Sequence, residues 1–242
     1  MNISKAFTYP FEDKEWLTKV GLAVVITVVP ILNFAAFGWV IEIMRRVGRS
    51  DPQPLPSWDD LGKKFMDGLM LFLAGLVYAL PIIILVGVPL AILVIPAAIA
   101  SSSNSSQDVM NAIATAGGVV GFCLSCFFIL YALALSILFP AIYVEYAHKG
   151  TFASCFAFKD IFAQISRNAG AYFTAWGVYI GTSLGVGIVS GLVGALVGWI
   201  PCLGQVVAFV IGFAAGVYAL LVYAHLFGQY GTTEAAPTPA GA

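Results

Sequence analysis

The sequence predicts an all-α, polytopic transmembrane helical bundle, and three observations carry that prediction. Of 242 residues, 60% are hydrophobic and only 10% charged, with a mean hydropathy of +0.95. A soluble domain carries roughly 25% charged residues, and a chain this long needs a polar exterior unless that exterior faces lipid. Second, the apolar residues fall into five runs: Val20–Ile41, Leu69–Ala100, Val119–Val144, Tyr172–Ile200 and Leu203–Phe227. Each approaches or exceeds the length of about 20 helical residues that crosses hydrocarbon. Third, Lys and Arg occupy some connections between the runs and are absent from others. Barrel strands would show alternating segments of about ten residues, so the runs read as helices.

The opening MNISKAFTYPFEDKEWLTK carries Glu12, Asp13 and Glu15 just before the first run and lacks the pattern of a cleavable leader. The first run, Val20–Ile41, admits two readings. If it crosses once, the N-terminus lies outside with Lys5, Lys14 and Lys19. If it turns back as a re-entrant hairpin at Pro30-Ile31-Leu32-Asn33, every Lys and Arg lies in the cytoplasm. A hairpin needs its tip buried in protein, whereas Pro30 is also tolerated as a kink in one tilted helix. The charge distribution favours the hairpin.

The connection 45–68 holds Arg45, Arg46, Arg49, Lys63 and Lys64, and 145–170 holds Lys149, Lys159 and Arg167. The loop SSSNSSQD (101–108) and the turn 199–205 hold neither Lys nor Arg. By the positive-inside rule the first two are cytoplasmic, as is the C-terminus, in a cell (plasma or inner) membrane. Each cytoplasmic connection is expected to carry an interfacial amphipathic helix. In the first, Ser57 caps the start, Asp59 and Asp60 fill the first turn, and Trp58, Leu61, Phe65 and Leu69 form the apolar stripe. In the second, the stripe is Cys155, Phe158, Phe162 and Ile165. The order of span, basic loop, amphipathic helix and span occurs twice, a weak sign of duplication.

Pro81, Pro89 and Pro96 interrupt a second run longer than a bilayer needs, so tilt, a kink or a short re-entrant turn must absorb the excess. Trp16, Trp39, Trp58, Trp176 and Trp199 fall at or near segment ends, where an aromatic belt is expected. Residues 1–230 read as a single membrane domain, and 231–242 (GTTEAAPTPAGA) as a disordered tail.

Several stretches carry a family resemblance: AFTYPFEDKEWLTKVG, VPILNFAAFGWVIEIMRR, LPSWDDLGKKFMDGL, FAFKDIFAQISRNAGAY and YAHLFGQY. From about Ala6 to Tyr230 the chain resembles the prokaryotic integral membrane family catalogued as domain of unknown function 4013. The box Leu55-Pro56-x-Trp58-x-Asp60 is its most specific mark. The resemblance implies a membrane protein and brings no activity, substrate or catalytic residue.

Ionisable groups inside spans mark function in membrane proteins, because burying charge in hydrocarbon is costly. Here they are few. Glu42 and Glu145 lie at the cytoplasmic ends of the first and third runs, where interfacial ion pairing is the ordinary reading and a proton or cation ligand the sharper one. Glu145 and His148 have the E-x-x-H spacing of carboxylate-bridged metal sites, but the further carboxylates and second pair of such a centre do not exist in this sequence. His225, at the end of the last run, could face His148 as a haem pair. Asn33 and Gln205 complete the candidate polar positions. Cys123-x-x-Cys126 lies in an apolar run without a charge to favour thiolate, so packing is expected. Gly181, Gly185, Gly187, Gly191, Gly194 and Gly198, continued by Gly212 and Gly216, recur largely at the G-x-x-x-G spacing that brings helices close, within the chain or between chains.

No nucleotide, hydrolase or zinc-peptidase motif is present, and Ser125, Ser136, Ser183 and Ser190 lack a mid-span His, Lys or acid. With a net charge of −1, no basic surface suits nucleic acid. The expectation is a non-catalytic scaffold or accessory subunit without a cofactor, holding lipids, a membrane-protein partner or a second copy. The alternative is a small transporter or permeability module for a lipid-like or weakly polar solute. Such a module would show a polar cavity at mid-bilayer lined by Asn33, Gln205 or Glu42. A scaffold would show an apolar groove or exposed small-residue helix faces.

Overall fold

The computed structural model describes residues 1–102, 107–201 and 203–235. Among them the chain is helical, without strands: α1 (Ile3–Glu12), α2 (Trp16–Val28), α3 (Asn33–Gly48), α4 (Leu61–Ser102) and α5 (Gln107–Lys149). A 3₁₀ turn (Phe152–Phe156), α6 (Phe158–Arg167), α7 (Ala169–Val197) and α8 (Leu203–Ala235) follow. Four stretches are long and apolar enough to cross a membrane: Leu61–Pro89, Gly117–Lys149, Ala169–Val197 and Leu203–Gly231. The protein is a multi-pass, all-α membrane protein, as the composition predicts.

The first apolar run is a helical hairpin. α2 stops at Val28, the chain turns with Ile31 at φ +73°, and α3 begins at Asn33. At about 1.5 Å per residue the 13-residue α2 spans roughly 20 Å, short of the roughly 30 Å of hydrocarbon. Trp58 fixes the return. Its Nε1 donates to the Lys19 carbonyl near the start of α2 (3.0 Å), while its ring stacks on Trp39 of α3 at 5.0 Å between centroids. Trp39 Nε1 in turn donates to Pro56 O (3.0 Å), and Lys19 Nζ to Leu55 O (3.2 Å). The start of α2 and the middle of α3 are therefore tied to one short loop. Asn2 N donates to Gln229 Oε1 (2.6 Å), which sets the N-terminus beside the last turns of α8. Four crossings return a chain to the side it left, so this contact agrees with a hairpin that does not cross.

Other expectations need correction. Asp60, not Ser57, starts α4: its side chain accepts from Lys63 N (3.3 Å) and its carbonyl from Lys64 N (3.2 Å), whereas Ser57 donates to Asp59. The first amphipathic stripe is not a separate helix, because its later residues form the opening turns of the 42-residue α4. That helix runs unbroken through Pro81, Pro89 and Pro96. Trp39 is 2% exposed and serves as glue rather than belt, while Trp199 is 78% exposed, as a belt residue would be. α8 continues through residues 231–235; 236–242, the rest of the segment read as a tail, and 103–106 lie outside the described residues.

The chain forms two compact units, Met1–Phe72 with Pro140 onward, and Leu73–Phe139. The second closes on itself: Tyr131 Oη donates to Tyr78 O (2.6 Å), and Phe139 meets the Tyr78 ring edge-on. Its outward side chains, Ile83, Ile84, Ile92, Phe122 and Ile129 among them, are exposed, as a lipid-facing surface requires. The first unit holds the packed core. There α3 and α4 touch backbone to backbone, since a Cβ at Gly38 would fall 1.7 Å from Lys64 O and one at Gly68 1.7 Å from Phe34 O. α8 joins through Gly228, against Val47 of α3.

Candidate functional site

The ionisable residues gather at the basic end of the first unit. Close approach at Gly38 buries Lys64, which is 3% exposed, and aims its ammonium at Glu42 (2.8 Å). Glu42 also receives Arg46 one turn on (2.9 Å). Beside this pair Arg45 bridges three elements: it pairs with Asp67 of α4, donates to Ala147 O of α5 (3.0 Å) and lies over the Tyr146 ring (5.8 Å). Tyr146 Oη donates to the other Asp67 oxygen (2.9 Å). Lys149 contacts both Glu145 (2.6 Å, off the hydrogen-bond axis) and Asp160 of α6 (2.7 Å). The Lys149 hydrogen bond draws the Asp160 carboxyl below the usual carboxylate range. Both candidate acids thus have cations of their own, which is ionic stitching between helices.

The histidines go to separate neighbours. His225 is 4% exposed, stacks on Tyr9 at 4.4 Å and meets Gln229 through Nδ1 (2.7 Å). His148 is exposed, with Nε2 against the Gly231 backbone. Asn33 begins α3 with its Oδ1 buried and unpartnered, and Gln205 is exposed in the first turn of α8. Cys123 and Cys126 are exposed free thiols, Cys155 is buried with its thiol pushed up to about 11 by burial, and Cys202 lies outside the described residues. On α6 the buried face is Ile161 and Gln164, while Phe158 and Phe162 are 49% and 53% exposed. The predicted stripe is therefore divided: Cys155 turns inward from the 3₁₀ turn, and the two phenylalanines lie on the exposed face.

α7 and α8 form the other feature. They approach where Ala208 Cβ lies 3.7 Å from a Cβ built on Gly194, and Gly198 caps α7 by donating to Gly194 O (2.7 Å). Elsewhere the glycines stay open: a Cβ at Gly181, Gly185, Gly187, Gly191, Gly212 or Gly216 meets nothing within 4 Å. Within the chain these glycines do not serve the close packing their spacing suggests. Three of them, Gly187, Gly212 and Gly216, line a groove of about 660 Å³ together with Tyr179, Ser183 and Ser190. Ser183 Oγ is buried there without a partner.

The family model for "Protein of unknown function (DUF4013)" matches residues 21–199. The chain belongs to this family. The DUF4013 match takes in the hairpin, the Leu55-Pro56-x-Trp58-x-Asp60 box, α4 to α6 and α7 up to the Gly198 cap, and leaves α1 and α8 outside. No curated protein and no solved structure matches the chain. Within the DUF4013 region the box has a structural explanation, because its Leu, Pro and Trp residues tie α2 to α3.

Sequence reading missed α1. Asn2 caps it by accepting from Lys5 N (3.0 Å), and Ala6, Tyr9 and Pro10 form its buried face. Tyr9 Oη donates to Leu221 O of α8 (3.1 Å), and Tyr218 Oη to Phe7 O (3.2 Å). The signal was the capping Asn followed by apolar residues three and four apart. Pro10 and the nearby acids obscured it.

Proposed function

We propose that this chain is a non-catalytic scaffold or accessory subunit of a plasma or inner membrane, with its basic end in the cytoplasm. It holds a membrane-protein partner or lipids against α7 and α8. The observation that carries this reading is the open, largely apolar groove bordered by unfilled glycines. Small residues let a helix or a lipid chain approach closely, and in a bilayer such a surface is never left bare. A transporter reading has less support, because Asn33, Gln205 and Glu42 do not line this groove.

The test is to extract the full chain into native nanodiscs and identify by mass spectrometry what stays bound, for wild type and for Gly187→Leu, which fills the groove. A stoichiometric partner or lipid lost in the variant supports the reading. A chain that comes away alone, or keeps the same companions in both forms, sinks it.

A further inference from the structure

A second recess, outside the α7–α8 groove, lies between α1, the loop after α3 and the last turns of α8. It encloses about 270 Å³, lined chiefly by Lys5, Asp51, Pro52, Pro54, His225 and Gln229. Gln229 is oriented by the backbone of Asn2, with Oε1 accepting from Asn2 N (2.6 Å) and Nε2 donating to Asn2 O (3.1 Å). The same Nε2 stands 2.7 Å from His225 Nδ1. An amide N–H₂ faces that nitrogen, so Nδ1 accepts and the proton of the neutral ring sits on Nε2. Among the described residues nothing accepts from Nε2, although the ring is 4% exposed. Lys5 and Asp51 line the recess without an ion pair among the described residues. A cation, an imidazole N–H donor and an acid, whose Oδ1 also accepts from Gln53 N (3.0 Å), therefore share one small space, and none of the three is bonded to another.

We propose that this recess binds the headgroup of an amine-bearing phosphodiester, the chemistry of an ethanolamine phospholipid. Lys5 and His225 Nε2 donate to the phosphate oxygens, and Asp51 accepts from the ammonium. Charge-assisted hydrogen bonds of this kind are the strong ones. A bare anion fits less well, because Asp51 repels it. Depth agrees with the assignment. His225 lies six residues, about 9 Å, inside the end of the 29-residue α8 span at Gly231, and because that span is about 13 Å longer than the roughly 30 Å of hydrocarbon, the residue sits near the hydrocarbon edge. The inference does not rest on the scaffold reading, since it concerns a different surface.

The experiment is native mass spectrometry of the full chain after reconstitution with phosphatidylethanolamine, phosphatidylglycerol or phosphatidylcholine and mild extraction. The wild type is expected to retain one phosphatidylethanolamine, at least about tenfold over the other two. Lys5→Ala and Asp51→Asn, both at positions not fully buried, each reduce that retention about tenfold, and Lys5→Arg restores it. Glycerophosphoethanolamine separates the sources: competition at equal concentration assigns the recess to a soluble phosphodiester, and weaker competition to the bilayer lipid. Equal retention of all three lipids, no retention by the wild type, or unchanged retention in Asp51→Asn overturns the proposal.

Discussion

Where α3 meets α4, glycine brings two backbones into contact, and Gly38 and Gly68 leave no room for a methyl group. Along α7 and α8 glycines recur largely four apart, and most of them face open space. Spacing alone therefore does not tell a packed glycine from a vacant one. Gly38 and Gly68 are not four apart on one helix, and their close approach is accompanied by the Trp39–Trp58 stack and the Lys64–Glu42 pair. α7 meets α8 through aromatic rings, Tyr172 against Phe227 and Tyr230 and Tyr179 against Tyr223, but no charge lies within its span to add an ion pair.

The sharpest way to break this comparison is to add one methyl to each region. Gly38→Ala should cost more than about 3 kcal/mol or abolish folding, since the clash is with backbone and cannot be relieved by a rotamer. Gly185→Ala should change stability by less than about 0.5 kcal/mol. Thermal melts in detergent read both, and equal effects would erase the distinction.

Next in size is the ionic clamp. Glu42→Gln leaves the buried Lys64 ammonium without a carboxylate and should cost roughly 3 kcal/mol. The double variant Glu42→Gln with Lys64→Met should recover most of that loss by the same melt, because the stranded charge goes with its partner. Trp58→Phe keeps a ring against Trp39 but deletes the donor to Lys19 O, and should cost about 1 kcal/mol. Chemical denaturation of the variant resolves a change of that size.

The smallest effect is a pH dependence at the joint between α1 and α2. Burial of Asp13 would raise its carboxyl, but hydrogen bonds from Lys19 and the Glu15 N–H outweigh it, and the group lies below its ordinary value. A depressed acid stabilises the fold fully above its unfolded value near 4 and loses that contribution as pH falls through the lower folded value. Asp13→Asn should therefore lower stability at neutral pH and flatten the acid limb of a melt-against-pH curve below about pH 4. A variant curve parallel to that of the wild type would show that the Lys19 pair has no part in the joint.

Much of the fold was legible because lipid imposes one rule on every span: apolar side chains outside and hydrogen bonds inside. That rule wrote α4, α5, α7 and α8 into the composition of the chain, and the charge asymmetry anticipated the hairpin. The polar positions were legible as residues but not as partnerships. Glu42, Lys64, Arg45 and Asp67 are separated by up to 25 positions in the chain, and only folding makes them neighbours. His225 was visible as a lone histidine, whereas its setting depends on Asn2 and Tyr9, more than 200 residues away.

The sequence by itself determined that this is an all-helical membrane protein with its Lys and Arg confined to a few connections, because hydropathy and charge are local properties of the chain. Tertiary structure decided between the two readings of the first run, made two tryptophans mortar rather than belt, and fixed which glycines are filled. Those outcomes depend on which surfaces meet, and an apolar helix face looks the same in sequence whether it meets a neighbouring helix or lipid.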